Sequence, residues 1–372
     1  MEMRFQKLAL RLSIALAVFV LVGTGMAVAQ SVPADLTVLP PVPTSYVPRK
    51  TSWGDPNFQG IFPLENIDLA RIRLTRPKEF GNRVWLTDAE FATRLAAAKK
   101  SDAAYSAQLG GAGAMGSGGT RGLAKWMEAN SFARRTSMLV SPADGQLPPL
   151  TAKAEALQKA GRTSWRPGQR YDAIADFDTF DRCVSRGMPA SMLPFRYNNG
   201  IRIFQSPGYV VILLEMLGTR IIPLAKKSHP PAGVEAWLGD SIGRWDGNTL
   251  VIETTNIKSG DNVSDDLSRR AASPLNQATQ GAPAYNSLPT GKTAKATERL
   301  TMTDANTIAY ELNYSDAEVF TAPWAVRLDW TRNESYEFFE YACHEGNTQL
   351  RGRITAWRAQ QAQEAADKAA GK

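Results

Sequence analysis

The triplet Asp246-Gly247-Asn248 constrains this chain more than any other feature. It is a turn signal placed before Thr249–Thr255, which alternates like a strand, so the segment reads as a β-hairpin. The wider stretch Trp237–Asn256 reads WLGDSIGRWDGNTLVIETTN and contains Gly239-Asp240-Ser241-Ile242-Gly243. Those five residues match G-x-S-x-G, the nucleophile elbow of serine hydrolases. That elbow needs a helix directly after the serine, to lift its hydroxyl above a sheet. A turn and a second strand follow here, so Ser241 is read as a hairpin residue. A serine hydrolase using Ser241, with Asp329 and His344 in the matching chain order, stays as a third reading. Asp240 and Glu253 gain interest as orienting groups.

The same texture continues on both sides. Ile201–Phe204, Tyr209–Met216, Arg220–Leu224, Ala296–Met302, Thr307–Tyr314, Val326–Thr331 and Tyr336–Cys343 are short and rich in β-branched and aromatic residues. Turn chemistry separates them. Antiparallel pairing follows, and closure into a barrel is the natural way to remove exposed edges. The expected fold is mainly β: an antiparallel β-barrel-like, lipocalin-like domain over residues 51–357 with N-terminal helical decoration. Thr87-Asp88-Ala89-Glu90 is a capping box for a helix near 88–100, and Thr151 is the N-cap of another at 152–160. Residues 358–372 read as a polar helical tail. Residues 258–293 form a long polar connection, read either as a lid or binding loop or as a disordered segment. Gly111, Gly113 and Gly116 spell G-x-G-x-x-G, but a helical stretch precedes them and more glycine follows. They read as a surface loop, not a dinucleotide site.

Residues 1–29 have the form of a Sec-type signal peptide: Arg4, Lys7 and Arg11, an apolar run from Leu12 to Val22, and Ala27-Val28-Ala29 before the cut. The expected location is the periplasm, with no transmembrane segment in the mature chain. A proline-rich leader occupies 30–50. The formal charge is +7, and it is spread along the chain without basic runs. Nucleic acid is therefore not an expected partner, and a homo-oligomer is left open. The two cysteines, Cys183 and Cys343, are disulfide candidates in an oxidising compartment, worth about 4 kcal/mol on the loop-entropy model. No zinc spacing occurs, and two histidines are too few for a His-rich metal centre.

Several strands carry ionisable residues where a core wants apolar ones: Glu215, Glu253, Glu311, Arg327 and Asp329. They point either to solvent or to a polar-lined interior. Glu215 stands out because Tyr209–Leu214 before it is so apolar. A buried carboxylate there needs a cationic partner, and Arg202 and Arg220 are near in sequence. His229 and His344 both fall where a strand gives way to a loop, and each is a candidate acid or base. The resulting catalytic candidates are His229, His344, Glu215, Arg196 and Arg220. Asn198, Asn199, Tyr209, Trp237, Trp324 and Glu253 are the candidates for substrate contact.

A set of segments runs through nearly the whole mature chain: Trp53–Gly60 (WGDPNFQG), Ser141–Leu150 (SPADGQLPPL), Asp181-Arg182-Cys183 with Gly187-Met188-Pro189, Gln205–Ile212, Trp237–Asn256, Thr321–Trp324 and Tyr341–Asn347. Together they resemble a family of exported bacterial proteins. Gln146, Lys226-Lys227-Ser228 and the glycine-rich insert depart from that pattern. Some proteins similar to this one act on phenylcoumaran-type aromatic dimers from lignin. The resemblance implies a carbon–carbon lyase that opens the dihydrofuran ring and releases a one-carbon unit, formaldehyde or carbon dioxide, to leave a stilbene. Such a reaction needs a base, a donor for the departing phenoxide and an aromatic-lined pocket, and no cofactor or metal. The alternative is a periplasmic binding protein for aromatic or hydrophobic small molecules without catalysis.

Overall fold

Strands of period two dominate the architecture because each needs only one face covered. The computed structural model describes residues 32–108, 122–164, 168–276 and 283–371, all within one compact unit. The expected signal peptide, most of the glycine-rich insert and part of the 258–293 connection lie outside these residues. In chain order the main elements are β1 (Gly60–Pro63), α1 (Glu65–Leu69), α2 (Asp88–Gln108), α3 (Leu123–Ala129), β2 (Leu139–Ser141) and α4 (Ala152–Ala160). There follow β3 (Gly200–Ser206), β4 (Tyr209–Leu214), β5 (Gly218–Pro223), β6 (Asp240–Asp246) and β7 (Thr249–Thr255). The last are β8 (Lys295–Met302), β9 (Thr307–Ser315), β10 (Trp324–Thr331) and α5 (Gln349–Ala369). No helix among the described residues is long and apolar enough to cross a membrane.

The strands form two antiparallel sheets, one of four strands in the order β1-β3-β4-β5 and one of six in the order β2-β10-β9-β8-β7-β6. The mainly β, antiparallel expectation holds, but the barrel does not close. No ladder joins β5 to β6 or β1 to β10 among the described residues. The physical reason is visible at β5 and β6. A Cβ placed on Gly243 of β6 would lie 2.9 Å from the Ile222 side chain and 2.8 Å from that of Leu224. Side chains of the β5 edge rest on bare backbone where a ladder would have run. The interior is also filled, not open as a lipocalin lumen would be: Phe62, Tyr310, Trp324 and Trp330 are all fully buried in one core with residues of both sheets. Tyr310 and Trp330 stack with ring centroids 4.2 Å apart.

The β6–β7 hairpin turns through Gly247-Asn248, with Asp246 opposite Thr249 and Asp240 opposite Thr255. Ser241 is therefore a mid-ladder residue opposite Thr254, followed by strand and not by helix. The segment Tyr336–Cys343, which has strand composition, is irregular. Its polar groups bond to side chains of neighbouring elements, as described below.

One buried ion pair crosses between the sheets. Arg220 of β5 meets Glu298 of β8, with Nη1 to Oε1 at 2.8 Å and Nη2 to Oε2 at 2.5 Å, and both side chains are out of solvent. Further bonds surround the pair: Tyr310 donates to Glu298 at 2.8 Å, and Arg220 Nη2 donates to Ser241 and Thr254 at 3.0 and 3.1 Å, while Arg220 Nε has no hydrogen-bond partner. Burial and the charge of Glu298 push the Tyr310 hydroxyl well above its ordinary pKa, so it stays a donor. Removing one partner of such a pair leaves an uncompensated buried charge. Arg220→Met or Glu298→Leu alone is expected to cost about 3–5 kcal/mol of unfolding free energy, and Arg220→Met/Glu298→Leu less than the sum of the two. Urea denaturation of the four proteins checks this; strict additivity would show that the pair is not coupled.

Candidate active site

β4 ends at Leu214, but the backbone pairing runs one residue further, with Glu215 N bonded to Gly200 O at 2.9 Å. That extension turns Glu215 inward at the sheet end, where it is buried. Four donors converge on its carboxylate: Gly200 N at 2.8 Å and Tyr336 Oη at 2.7 Å on Oε2, and Asn198 Nδ2 and Phe339 N, both at 3.1 Å, on Oε1. The partner is thus not the cation that burial of a carboxylate suggests but a ring of dipoles. Position 200 has room for hydrogen alone. A Cβ there would sit 2.9 Å from Glu215 Oε2 and from the rings of Tyr336 and Phe338.

A second carboxylate stands beside the first. Glu65 opens α1, held near β3 by the bond from Leu64 N to Asn199 O at 3.1 Å. Its Oε2 is out of solvent and has no hydrogen-bond partner. Burial, followed by the negative charge of Glu215, raises its pKa to about 7. Desolvation disfavours the charged form, and a like charge adds to the effect. The two carboxylates therefore have different characters: Glu215 is saturated with donors, and Glu65 exchanges its proton near neutrality. Burial, with both carboxylates near, pushes the Tyr336 phenol far above its ordinary value, which keeps it a donor.

Aromatic rings and a buried cation lie on the adjoining loop. Phe195 meets Phe180 and Tyr197 edge to face at 5.6 and 4.9 Å, and Tyr341 stacks on Phe180 at 6.4 Å. The Arg186 guanidinium lies 4.8 Å from the centre of the Phe195 ring, and its Nε has no hydrogen-bond partner. Burial lowers its pKa to about 9, with Tyr197, Tyr341 and Asp68 opposing that shift. The segment that brings in Tyr336 and Phe339 is tied at both ends. Asn333 N bonds Ile61 O at 2.8 Å, and Cys343 is disulfide-bonded to Cys183 with Cα atoms 5.6 Å apart. Closing a loop of 160 residues contributes about 5 kcal/mol on the entropic model. Asn347 reinforces the tie through Asp181 O at 2.7 Å.

Of the residues singled out from sequence, Glu215 and Asn198 meet here, and Asn199 supports them by accepting from Phe195 N. Arg220 does not bond to the acid pair; it is held in the interior with Glu298. Trp324 is core, packed on Tyr314 and Phe320. Tyr209 is exposed on the outer face of its sheet, Trp237 is half-buried, and Glu253 is exposed and paired with Arg244 at 2.9 Å. Arg196 and His344 are exposed. His229 belongs to a separate cluster: its Nδ1 is 2.6 Å from Asp240, whose carboxylate also holds Lys226 at 2.8 Å. Asp240 sits below the ordinary carboxylate range, because Lys226 and His229 outweigh its partial burial. Ser241 is buried against Thr254 and Arg220 and touches no histidine among the described residues. Glu65, Tyr336 and Arg186 carried no signal in the sequence, since their neighbours are 121 or more residues away or lie in irregular chain.

Comparison of the chain with protein-family models, curated proteins and solved structures gives no match.

The Glu65 shift fixes a pH dependence. Between about 4.5 and 7 the folded protein keeps a proton that the unfolded chain has released, so stability falls as pH rises through that window and is level above it. Glu65→Gln removes the loss. Its unfolding free energy should exceed that of the wild type by a margin absent at pH 4.5 and full above pH 7, of order 2 kcal/mol after allowance for screening at a half-buried group. A margin that does not change with pH would contradict the assignment.

Proposed function

We propose that the protein is a cofactor-independent carbon–carbon lyase acting on a phenylcoumaran-type aromatic dimer, an exported member of the family it resembles. The observation that carries this reading is the pairing of Glu65, with a proton affinity near neutrality, with a donor-saturated Glu215 beside a cluster of aromatic rings. A general base works best when its pKa lies near the operating pH. The Arg186 cation provides positive potential for a developing phenoxide, and the Tyr336 hydroxyl holds Glu215 in place.

The chemistry balances without an oxidant. Glu65 takes the proton from the hydroxymethyl O–H of the substrate. The freed electron pair forms the carbonyl of formaldehyde as the carbon–carbon bond breaks. Electrons of that bond become the new alkene, and the ring C–O bond breaks to release the phenoxide. The phenoxide then takes the proton back from Glu65, leaving a hydroxystilbene and a reset enzyme. With a carboxylate in place of the hydroxymethyl group, the same electron flow releases carbon dioxide.

The test is incubation of purified protein with a phenylcoumaran carrying a hydroxymethyl group, following formaldehyde and stilbene absorbance together. Both products should appear in equal amounts. Glu65→Gln should lower kcat by about 100-fold or more, and Tyr336→Phe by about 10-fold. Tight binding of the dimer without either product would instead assign the protein to aromatic-ligand binding without turnover.

A further inference from the structure

A cleft of about 780 Å³ lies between α2, α3 and the chain from Leu69 to Phe80. Neither Glu65 nor Glu215 lines it. Its floor is apolar, built from Leu69, Ala98, Leu123 and Met127. Three arginines also line it: Arg71, Arg73 and Arg94. Arg71 and Arg73 are exposed, and Arg71 is held at φ +59 in the turn that ends α1, its N–H bonded to Asp68 O. Arg94 is half-buried and commits Nη1 to the carbonyls of Ala133 and Arg135, at 3.1 and 3.0 Å. Burial brings its pKa to about 10, which leaves it cationic at neutral pH.

Two acids line the same cleft, and the charge of Glu90 acts on Arg94. Glu90 is taken by Arg83, through bonds of 2.6 and 2.7 Å, and by Thr87. Glu79 is exposed in the short helical turn Lys78–Phe80. None of the three arginines is in an ion pair among the described residues. An apolar floor with three guanidinium groups, against two carboxylates of which Glu90 is already bonded to Arg83, calls for a ligand with an apolar body and an anionic head. The volume suits a small molecule, and guanidinium is the side chain best shaped to hold a carboxylate.

We propose that this cleft binds a small amphipathic carboxylate, its apolar body against Leu123 and Met127 and its carboxylate at Arg71, Arg73 and Arg94. The site is independent of the acid pair, so either assignment can fail alone. Isothermal titration calorimetry with biphenyl-4-carboxylate, and with biphenyl-4-carboxamide as the neutral match, tests it. The carboxylate should bind with a Kd below 1 mM, as an order of magnitude, and about tenfold more tightly than the carboxamide. The variant Arg71→Gln/Arg73→Gln changes two exposed side chains and should weaken the carboxylate about tenfold while leaving the carboxamide unchanged. Ala97→Trp, at an exposed position lining the cleft, should block both ligands. Equal affinity for the two ligands, unaltered carboxylate binding in the arginine variant, or no heat at millimolar ligand would each overturn the proposal.

Discussion

The Arg220–Glu298 pair is the interaction on which the arrangement of the two sheets depends. β5 and β6 are not joined by a ladder, so backbone hydrogen bonds do not fix their relative position. Apolar packing alone is tolerant of small shifts, because many side-chain arrangements bury similar area. A two-pronged ion pair is not tolerant. Desolvating both charges costs several kcal/mol each, and only good geometry offsets it. The network through Ser241, Thr254 and Tyr310 draws on four strands, β6, β7, β8 and β9, around one guanidinium from β5. The gain is in uniqueness of the packing more than in net stability.

That constraint carries to the acid pair by a short route. β5 is laddered to β4 with Ile212 opposite Arg220, so fixing Arg220 fixes the strand that ends in Glu215. β3 is laddered to β4 on its other side, placing Gly200 opposite the end of that strand and Asn198 just before it. β1 pairs with β3 and leads directly into Glu65. Three of the four strands of this sheet, β1, β3 and β4, thus bring an end to the acid pair. The last contributors, Tyr336 and Phe339, come from irregular chain, and there the disulfide supplies the order that a ladder supplies elsewhere.

What was legible in the sequence follows from the range of each interaction. The β6–β7 hairpin is local: its turn residues and its alternation lie within one short stretch, and the structure has it where the turn chemistry puts it. The G-x-S-x-G match is explained by the same stretch. Gly239 sits at φ +74 and Gly243 admits the β5 side chains, so the glycine spacing has a packing cause. Which face a strand residue takes is less local. Glu253 looks outward and Glu298, on the neighbouring strand, inward, although both sit in similar apolar–polar alternation. Glu215 was visible because its strand is so apolar, but its ring of donors was not, since Tyr336 lies 121 residues away. Barrel closure was expected because exposed edges are a liability; here edge side chains and a glycine do the covering instead.

Glu65 shows what such convergence costs. A folded chain normally pairs every buried polar atom, because an unpaired one forfeits the water it had when unfolded. Glu65 Oε2 is left without a partner next to a carboxylate that receives four. A glutamine, or one more donor from the nearby loop, would have satisfied the site. The arrangement that exists instead concentrates all the donors on Glu215 and leaves Glu65 to answer its charge with a proton. A carboxylate held by four donors can hold position while its neighbour, raised in proton affinity, exchanges a proton. That asymmetry, set by burial and by the neighbouring charge and not by residue type, is what separates this sheet end from the charge-paired network around Arg220.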